Sequence, residues 1–177
     1  LPASPTVYPA MPTWNKGRVR RESGMNDCIG WASPPDSVDD AFRNVAWGTN
    51  RPILYRVSVE PGSSRRIALG ICESYKAMAG MRLLDLRVEG APPQVVDPMS
   101  TGVKNTPHVL FFDGIDVNAD GWLSVECHSA GPDGNTILNA FWVFRAHESI
   151  TAAQVMSGEG SRRAELVHRC GTELEGN

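Results

Sequence analysis

Several things are missing from this 177-residue chain, and each absence excludes a class of function. No apolar run approaches the roughly 20 residues that a bilayer-crossing helix needs. The 17 basic residues are outnumbered by 20 acidic ones. No surplus of positive charge is there to neutralise a run of phosphates, so nucleic acid is not expected as a partner. The basic clusters at Arg18, Arg20 and Arg21, at Arg65 and Arg66, and at Arg162 and Arg163 are small and read as solvated faces. The cysteines, Cys28, Cys72, Cys127 and Cys170, form no C-x-x-C pair. The histidines, His108, His128, His147 and His168, show no paired metal spacing and read as structural. No G-x-S-x-G, H-E-x-x-H, P-loop or G-x-G-x-x-G motif occurs, nor any N-x-S/T sequon. The chain opens at Leu1 with no charged-then-apolar leader. That fits a mature secreted product or a module cut from a longer chain.

What is present points to strands. Thirteen prolines and 17 glycines suit many strands joined by turns. Residues 1–50 hold Pro2, Pro5, Pro9, Pro12, Pro34 and Pro35 with little apolar periodicity, and read as an irregular extension packed on the domain. A helical turn is expected over residues 37–44, with Ser37 as its cap. From Ile53 the pattern changes: Ile53, Tyr55, Val57 and Val59 alternate with Leu54, Arg56, Ser58 and Glu60, the period of a strand with one inner face. Further strands are read over residues 65–74, 81–89, 95–97, 107–113, 122–128 and 136–144. The last is apolar on nearly both faces and therefore central. Residues 149–156 read as a short helix capped by Ser149, and the charged tail beyond as a mobile end. Turn-separated strands without alternating helices predict an all-β, antiparallel β-sandwich of one domain, with its core over residues 51–146 and the helix and tail over 147–177.

The order of these strands resembles the malectin and malectin-like family over about residues 43–145. The most specific stretch is Cys72-Glu73-Ser74-Tyr75, followed by the strand Arg82-Leu83-Leu84-Asp85-Leu86-Arg87-Val88-Glu89-Gly90. These stand where the family reads roughly FAE-x-Y and then R-x-F-D-V-x-V-x-G. Residues 137–144 match the family's closing strand. The resemblance implies a jelly-roll sandwich of the galactose-binding-like kind, holding a glycan or peptide in the loops at one end. It also implies an extracellular or cell-surface location.

Sugar recognition sets aromatic faces against the apolar face of a pyranose and adds fixed carboxylates and amides for its hydroxyls. Tyr75, just past a strand, takes the position of a ligand-contacting tyrosine in the family; the competing reading has it plug the sandwich end. The family often has a second aromatic directly after this tyrosine, where this chain has Lys76. Glu73 belongs to the same motif. Trp47, between Ala46 and Gly48, stands near another ligand-contacting aromatic of the family, or else seals the core edge. Asp133 and Asn135 share the position of a ligand-binding aspartate, in a loop whose Pro132-Asp133-Gly134 is also a strong turn signal. Trp31 is a further aromatic without a family match, whereas Trp122, Phe141 and Trp142 read as core or sheet face.

Asp116, Asn118 and Asp120, followed by Gly121, begin like a calcium loop. Position twelve, where an EF-hand needs Glu, is Cys127, and the flanks read as strands. A calcium-binding β-loop and a hairpin loop of Asx turns remain as the two readings, and no cofactor other than calcium is expected. Cys127 shares parity with Leu123 and Val125, while Cys72 lies opposite Ile67 and Leu69, so a bond between them is not expected. Cys28 and Cys170 are expected instead to tie the N-terminal extension to the tail.

The function expected is thus a non-catalytic carbohydrate-binding module, a lectin-like domain taking a glycan or polysaccharide. Two alternatives stand beside it: a structural subunit of an extracellular polymer, using self-association or protein contacts, and a small carbohydrate-active hydrolase or lyase. The last would need two positioned carboxylates, for which Glu73 and Asp85 are the candidates if they lie on adjacent strands.

Overall fold

A computed structural model describes residues 19–172. Three antiparallel sheets build the domain. The first takes its strands in the order β1 (Val19–Arg21), β4 (Ile53–Ser58), β9 (Trp122–Ser129), β6 (Leu84–Val88) and β7 (Gln94–Val96). Facing it lies a four-stranded sheet of β12 (Leu166–Arg169), β11 (Ala140–Arg145), β5 (Ser64–Cys72) and β8 (Pro107–Ile115). A three-stranded sheet of β10 (Thr136–Leu138), β3 (Val45–Gly48) and β2 (Asn26–Cys28) completes the sandwich.

The alternating residues of β4 and β6 do what period two requires. Ile53, Tyr55 and Val57, and Leu84, Leu86 and Val88, are buried against Ile67, Leu69, Phe141 and Val143 of the opposite sheet. A second cluster lies on the far face of the four-stranded sheet, where Ala68, Cys72, Trp142 and Phe144 are covered by Phe42, Ile150 and Val155. This double burial makes β11 apolar on both faces, as the sequence predicts of a central strand. The two cysteines of opposite parity separate accordingly: Cys127 lies in the first cluster and Cys72 in the second.

Residues 19–50 are less irregular than expected. They supply β1, β2 and β3, together with a 3₁₀ turn over Asp40–Arg43 capped by Asp39, whose carboxylate accepts from Ala41 N at 2.9 Å. The prolines before residue 19 lie outside the described residues. At the other end the helix is Ala152–Met156, and Thr151 caps it rather than Ser149, through a capping box with Gln154. A second short helix, Glu159–Arg163, leads into β12, so the tail pairs with β11 through residue 169 instead of hanging free.

The histidines take separate structural places. His108 Nε2 lies 3.0 Å from Pro98 O and His128 Nε2 2.7 Å from Glu126 Oε1. His168 stacks 5.0 Å from the rings of both Tyr55 and Phe141, at the edge between the two main sheets. Burial, helped by the charge of Arg21, pushes its pKa down to about 3. The folded protein therefore keeps this ring neutral, while the unfolded chain takes up a proton below about pH 6.5. The stability involved is fully present above that pH and is lost as pH falls toward 3, at a limiting slope of about 1.4 kcal/mol per pH unit. Denaturant titrations at pH 7.5 and 5.0 should show wild type losing about 1–2 kcal/mol. His168→Phe should lose distinctly less, and equal losses would remove His168 as the cause.

Candidate functional site

One end of the sandwich gathers four segments that are distant in sequence. Residues 73–83 follow β5, residues 130–135 precede β10, Trp47 sits near the end of β3, and Trp31 lies between β2 and the 3₁₀ turn. Specific bonds lock them together. Ser74 Oγ donates to Trp31 O at 2.8 Å, and Asn105 N to Glu73 O at 2.7 Å. Ser33 N donates to Asn105 Oδ1 at 2.8 Å, and Asn50 N to Asn135 Oδ1 at 2.9 Å. Between them opens a cleft of about 330 Å³ lined by Trp31, Trp47, Tyr75, Arg82, Asn135 and Ile137. That lies within the usual size range of small-ligand sites.

Three aromatic residues thus converge. Tyr75 is 70% exposed and does not plug the sandwich end. Trp47 packs partly against the core and also lines the cleft. Trp31, without a family counterpart, lines the same cleft.

The floor is a buried ion pair. Glu73 is fully buried and accepts from Arg82 Nε at 2.5 Å and from Tyr75 N at 3.2 Å. Arg82 is 4% exposed and donates from Nη1 to Asn135 O at 3.2 Å, with Asp133 Oδ2 at 3.6 Å. Glu73 therefore supports the cleft rather than lining it. So does Asp133, whose carboxylate meets Lys76 Nζ at 2.9 Å and accepts from Asn135 N at 2.9 Å. Burial alone would raise the Asp133 pKa; the Asn135 N–H and the charges of Lys76 and Arg82 outweigh it and hold the group below the usual carboxylate range. Lys76, standing where the family has an aromatic, is the cation that anchors this loop.

Glu73 and Asp85 are not neighbours. Asp85 lies on β6 in the five-stranded sheet and pairs with Arg87 at 2.7 Å, whereas Glu73 follows β5 in the four-stranded one. Among the described residues that line the cleft there is no carboxylate.

Asp116, Asn118 and Asp120 lie at the other end of β5, since Ser64 pairs with Ile115 and Cys72 with Pro107. That is roughly 25 Å from the cleft along the strand. Asp116 Oδ2 accepts from Gly62 N at 3.0 Å and Gly121 N at 2.8 Å. Asn118 Oδ1 accepts from Asp120 N at 3.4 Å and Asp120 Oδ1 from Trp122 N at 2.8 Å. Burial would raise the Asp116 pKa, but the backbone N–H groups hold it below the ordinary value. These oxygens answer the backbone of a hairpin loop built on Asx turns. Among the described residues no group of three or more His, Cys, Asp or Glu is placed to hold a metal ion.

No disulfide joins Cys28 to Cys170. Cys28 Sγ turns to the carbonyl of Ile29 at 3.9 Å, and Cys170 is buried in the main core. The tail nevertheless runs close against the N-terminal strands: Gly171 lies so near Val45 that an added Cβ would stand 2.2 Å from the Val45 oxygen. Burial also pushes the Cys72 and Cys127 thiols up to about 12, which makes them poor nucleophiles.

The backbone superposes on known ectodomains. The crystal structure of the ANX2 ectodomain from Arabidopsis thaliana matches with a TM-score of 0.57 at 14% identity, over 76% of this chain and 43% of that one. The fold is malectin-like. The ANX1 ectodomain from the same plant matches at TM-score 0.54 and 11% identity, over 73% and 40% of the two chains. A chain in the crystal structure of the plant peptide RALF23 in complex with FER and LLG2 matches at 0.56 and 13%, over 76% and 42%. No protein-family model and no curated protein matches the chain. The chain spans about two fifths of the length of those ectodomain chains. At such identities the likeness shows the fold, and the site rests on this chain's own side chains.

Two residues of the cleft, Arg82 and Ile137, are not among the site residues that the sequence singles out. Arg82 opens the motif strand, and its sequence signal was a charged residue placed directly before a run of core positions.

Proposed function

We propose that this chain is a non-catalytic binding module that holds a glycan in the cleft of Trp31, Trp47 and Tyr75, outside the cell. The convergence of three aromatic side chains on one preformed cleft carries this reading. Flat, rigid rings match the C–H faces of pyranoses, while Arg82 and Asn135 supply the donors and acceptors that select hydroxyl positions. A non-catalytic role is supported by the carboxylates: Glu73 is buried against Arg82 and Asp133 is held by Lys76. The extracellular setting is supported by the ectodomains that share the fold and agrees with the lack, among the described residues, of a helix long and apolar enough to cross a membrane.

A second reading, a peptide or protein ligand at the same end, draws on the neighbour solved with RALF23 and LLG2. One experiment separates the two. The purified protein is screened on a broad glycan array beside a Trp47→Ala/Tyr75→Ala variant, with and without a calcium chelator. Glycan binding is expected, with a loss of about 10- to 100-fold in the variant. The chelator should change nothing, because Asp116 Oδ2, Asn118 Oδ1 and Asp120 Oδ1 each already accept from a backbone N–H of the loop or its flanks. A folded wild-type protein that binds no glycan would sink the carbohydrate reading and leave the peptide or protein ligand.

A further inference from the structure

A second hollow adjoins the aromatic cleft. It measures about 270 Å³ and is lined by Gly24, Met25, Asn26, Thr49 and Arg51. Trp47 lines the first, and its cross-strand neighbour Asn26 lines the second. Asn26, Trp47 and Ile137 stand directly opposite one another across β2, β3 and β10, so all three project from one face of that sheet. Asn26 lines the second hollow, Ile137 the first, and Thr49, two residues on from Trp47, the second again.

The two hollows differ in charge. In the aromatic cleft every charge is cancelled in place, Arg82 by Glu73 and Lys76 by Asp133. Among the described residues that line it, the second hollow has a cation and no carboxylate. Arg56, Arg66 and Arg87 are each paired with an acidic side chain, whereas the Arg51 guanidinium has no such partner among the described residues. Nor does it wave freely. Its stem passes over Gly48, where an added Cβ would lie 3.2 Å from Cγ, and its tip rests on Gly24, where an added Cβ would lie 2.4 Å from Nη1. Two positions without a Cβ thus let the arginine lie flat along the hollow, which it lines together with Asn26 and Thr49; the Asn26 amide donates to the Thr49 hydroxyl at 3.5 Å.

We infer that this hollow is an anion-accepting subsite, and that the glycan held against Trp47 carries a carboxylate or sulfate group that reaches Arg51. A planar guanidinium flanked by an amide and a hydroxyl is the donor set that suits such a group. The inference rests on the glycan reading of the aromatic cleft, and the two can fail separately.

The test uses tetrasaccharides of gluco, galacto and manno configuration, each in neutral, C6-carboxylate and C6-sulfate form, titrated by calorimetry at 50 and 500 mM salt. In at least one series an acidic form should bind about fivefold or more tightly than its neutral parent at low salt, and the gap should narrow at high salt. The carboxylate and sulfate arms show which anion is taken. Arg51→Gln should bring the ratio of acidic to neutral affinity to about one. Gly24→Ala keeps the charge but displaces the guanidinium tip, and should reduce the ratio with little change in melting temperature. Arg162→Gln, on an exposed arginine of the second helix, should leave the ratio as it is. Equal binding of acidic and neutral forms by wild type, or an acidic preference that survives Arg51→Gln, would overturn the subsite while the aromatic cleft stands. If no tetrasaccharide binds in any form, the cleft reading falls and the subsite with it.

Discussion

Glu73→Ala should lower the unfolding free energy by about 3–5 kcal/mol, a large part of what a domain of this size has. The carboxylate is fully buried, and its removal leaves the Arg82 guanidinium in a site that is 4% exposed. Asp133 at 3.6 Å compensates in part, but it is already shared with Lys76 at 2.9 Å. The Tyr75 N–H loses its acceptor as well, which loosens the loop that presents the tyrosine ring. Glu73→Gln keeps the shape and an acceptor, and should cost less than half as much. The paired change Glu73→Met/Arg82→Leu is the informative one. Replacing both members of a buried ion pair with apolar groups is often near neutral for stability. It also removes the polar floor of the cleft. Denaturant titration should therefore show most of the stability returning, while the glycan binding proposed for the cleft stays lost. A Glu73→Ala cost below 1 kcal/mol, or a double variant that still binds, would show that the pair neither holds the loop nor serves the ligand.

The sequence made parts of this arrangement legible and hid others, for physical reasons. Strands β4 and β6 are long enough for period two to show, and their apolar residues are the core. β1 and β2 have three residues each, too few to display any period, and their composition, Val-Arg-Arg and Asn-Asp-Cys, is polar because they lie at sheet edges. β12, Leu-Val-His-Arg, is hidden in a charged tail for the same reason. Local signals placed Tyr75, Trp47 and Asn135 at one end of the sandwich, where the cleft opens, since each needs only a strand terminus or a turn to be located. What no local pattern could supply was which charges meet. The Glu73–Arg82 contact spans nine residues across a loop, and the ties from Trp31 to Ser74 and from Asn50 to Asn135 span 43 and 85. Those non-local bonds turn Asp133 from a contact residue into a brace and bring Trp31 into the cleft.

Asn139 was hidden in another way, inside the apolar run from Ile137 to Phe144 that reads as a single strand. The run is two strands in two sheets: β10 pairs with β3, and β11 pairs with β5 and β12. The chain changes sheets at Asn139, and a change of sheet leaves backbone groups without ladder partners in a fully buried place. The side chain answers three of them. Its Oδ1 accepts from Cys72 N at 2.7 Å, and its Nδ2 donates to Phe42 O at 3.0 Å and Asn44 O at 2.9 Å. Cys72 needs such a partner because the β5–β11 ladder ends at the Gly70–Ala140 pair, and Cys72 faces Pro107 on its other side. Asn139→Ala strands one donor and two acceptors in the core, at about 1–3 kcal/mol for each group left unpaired, so a total near 4 kcal/mol is expected. Asn139→Asp preserves the volume yet turns acceptors toward two carbonyls, and should be no better tolerated. Because Cys72 directly precedes Glu73, the loss should reach the ligand end too. Amide exchange at Cys72 should accelerate together with that of Tyr75, whose N–H rests on the Glu73 carboxylate. Denaturant titration and site-resolved exchange check both parts. A small stability loss with unchanged protection at Cys72 would mean that water, not the asparagine, satisfies the crossing between the sheets.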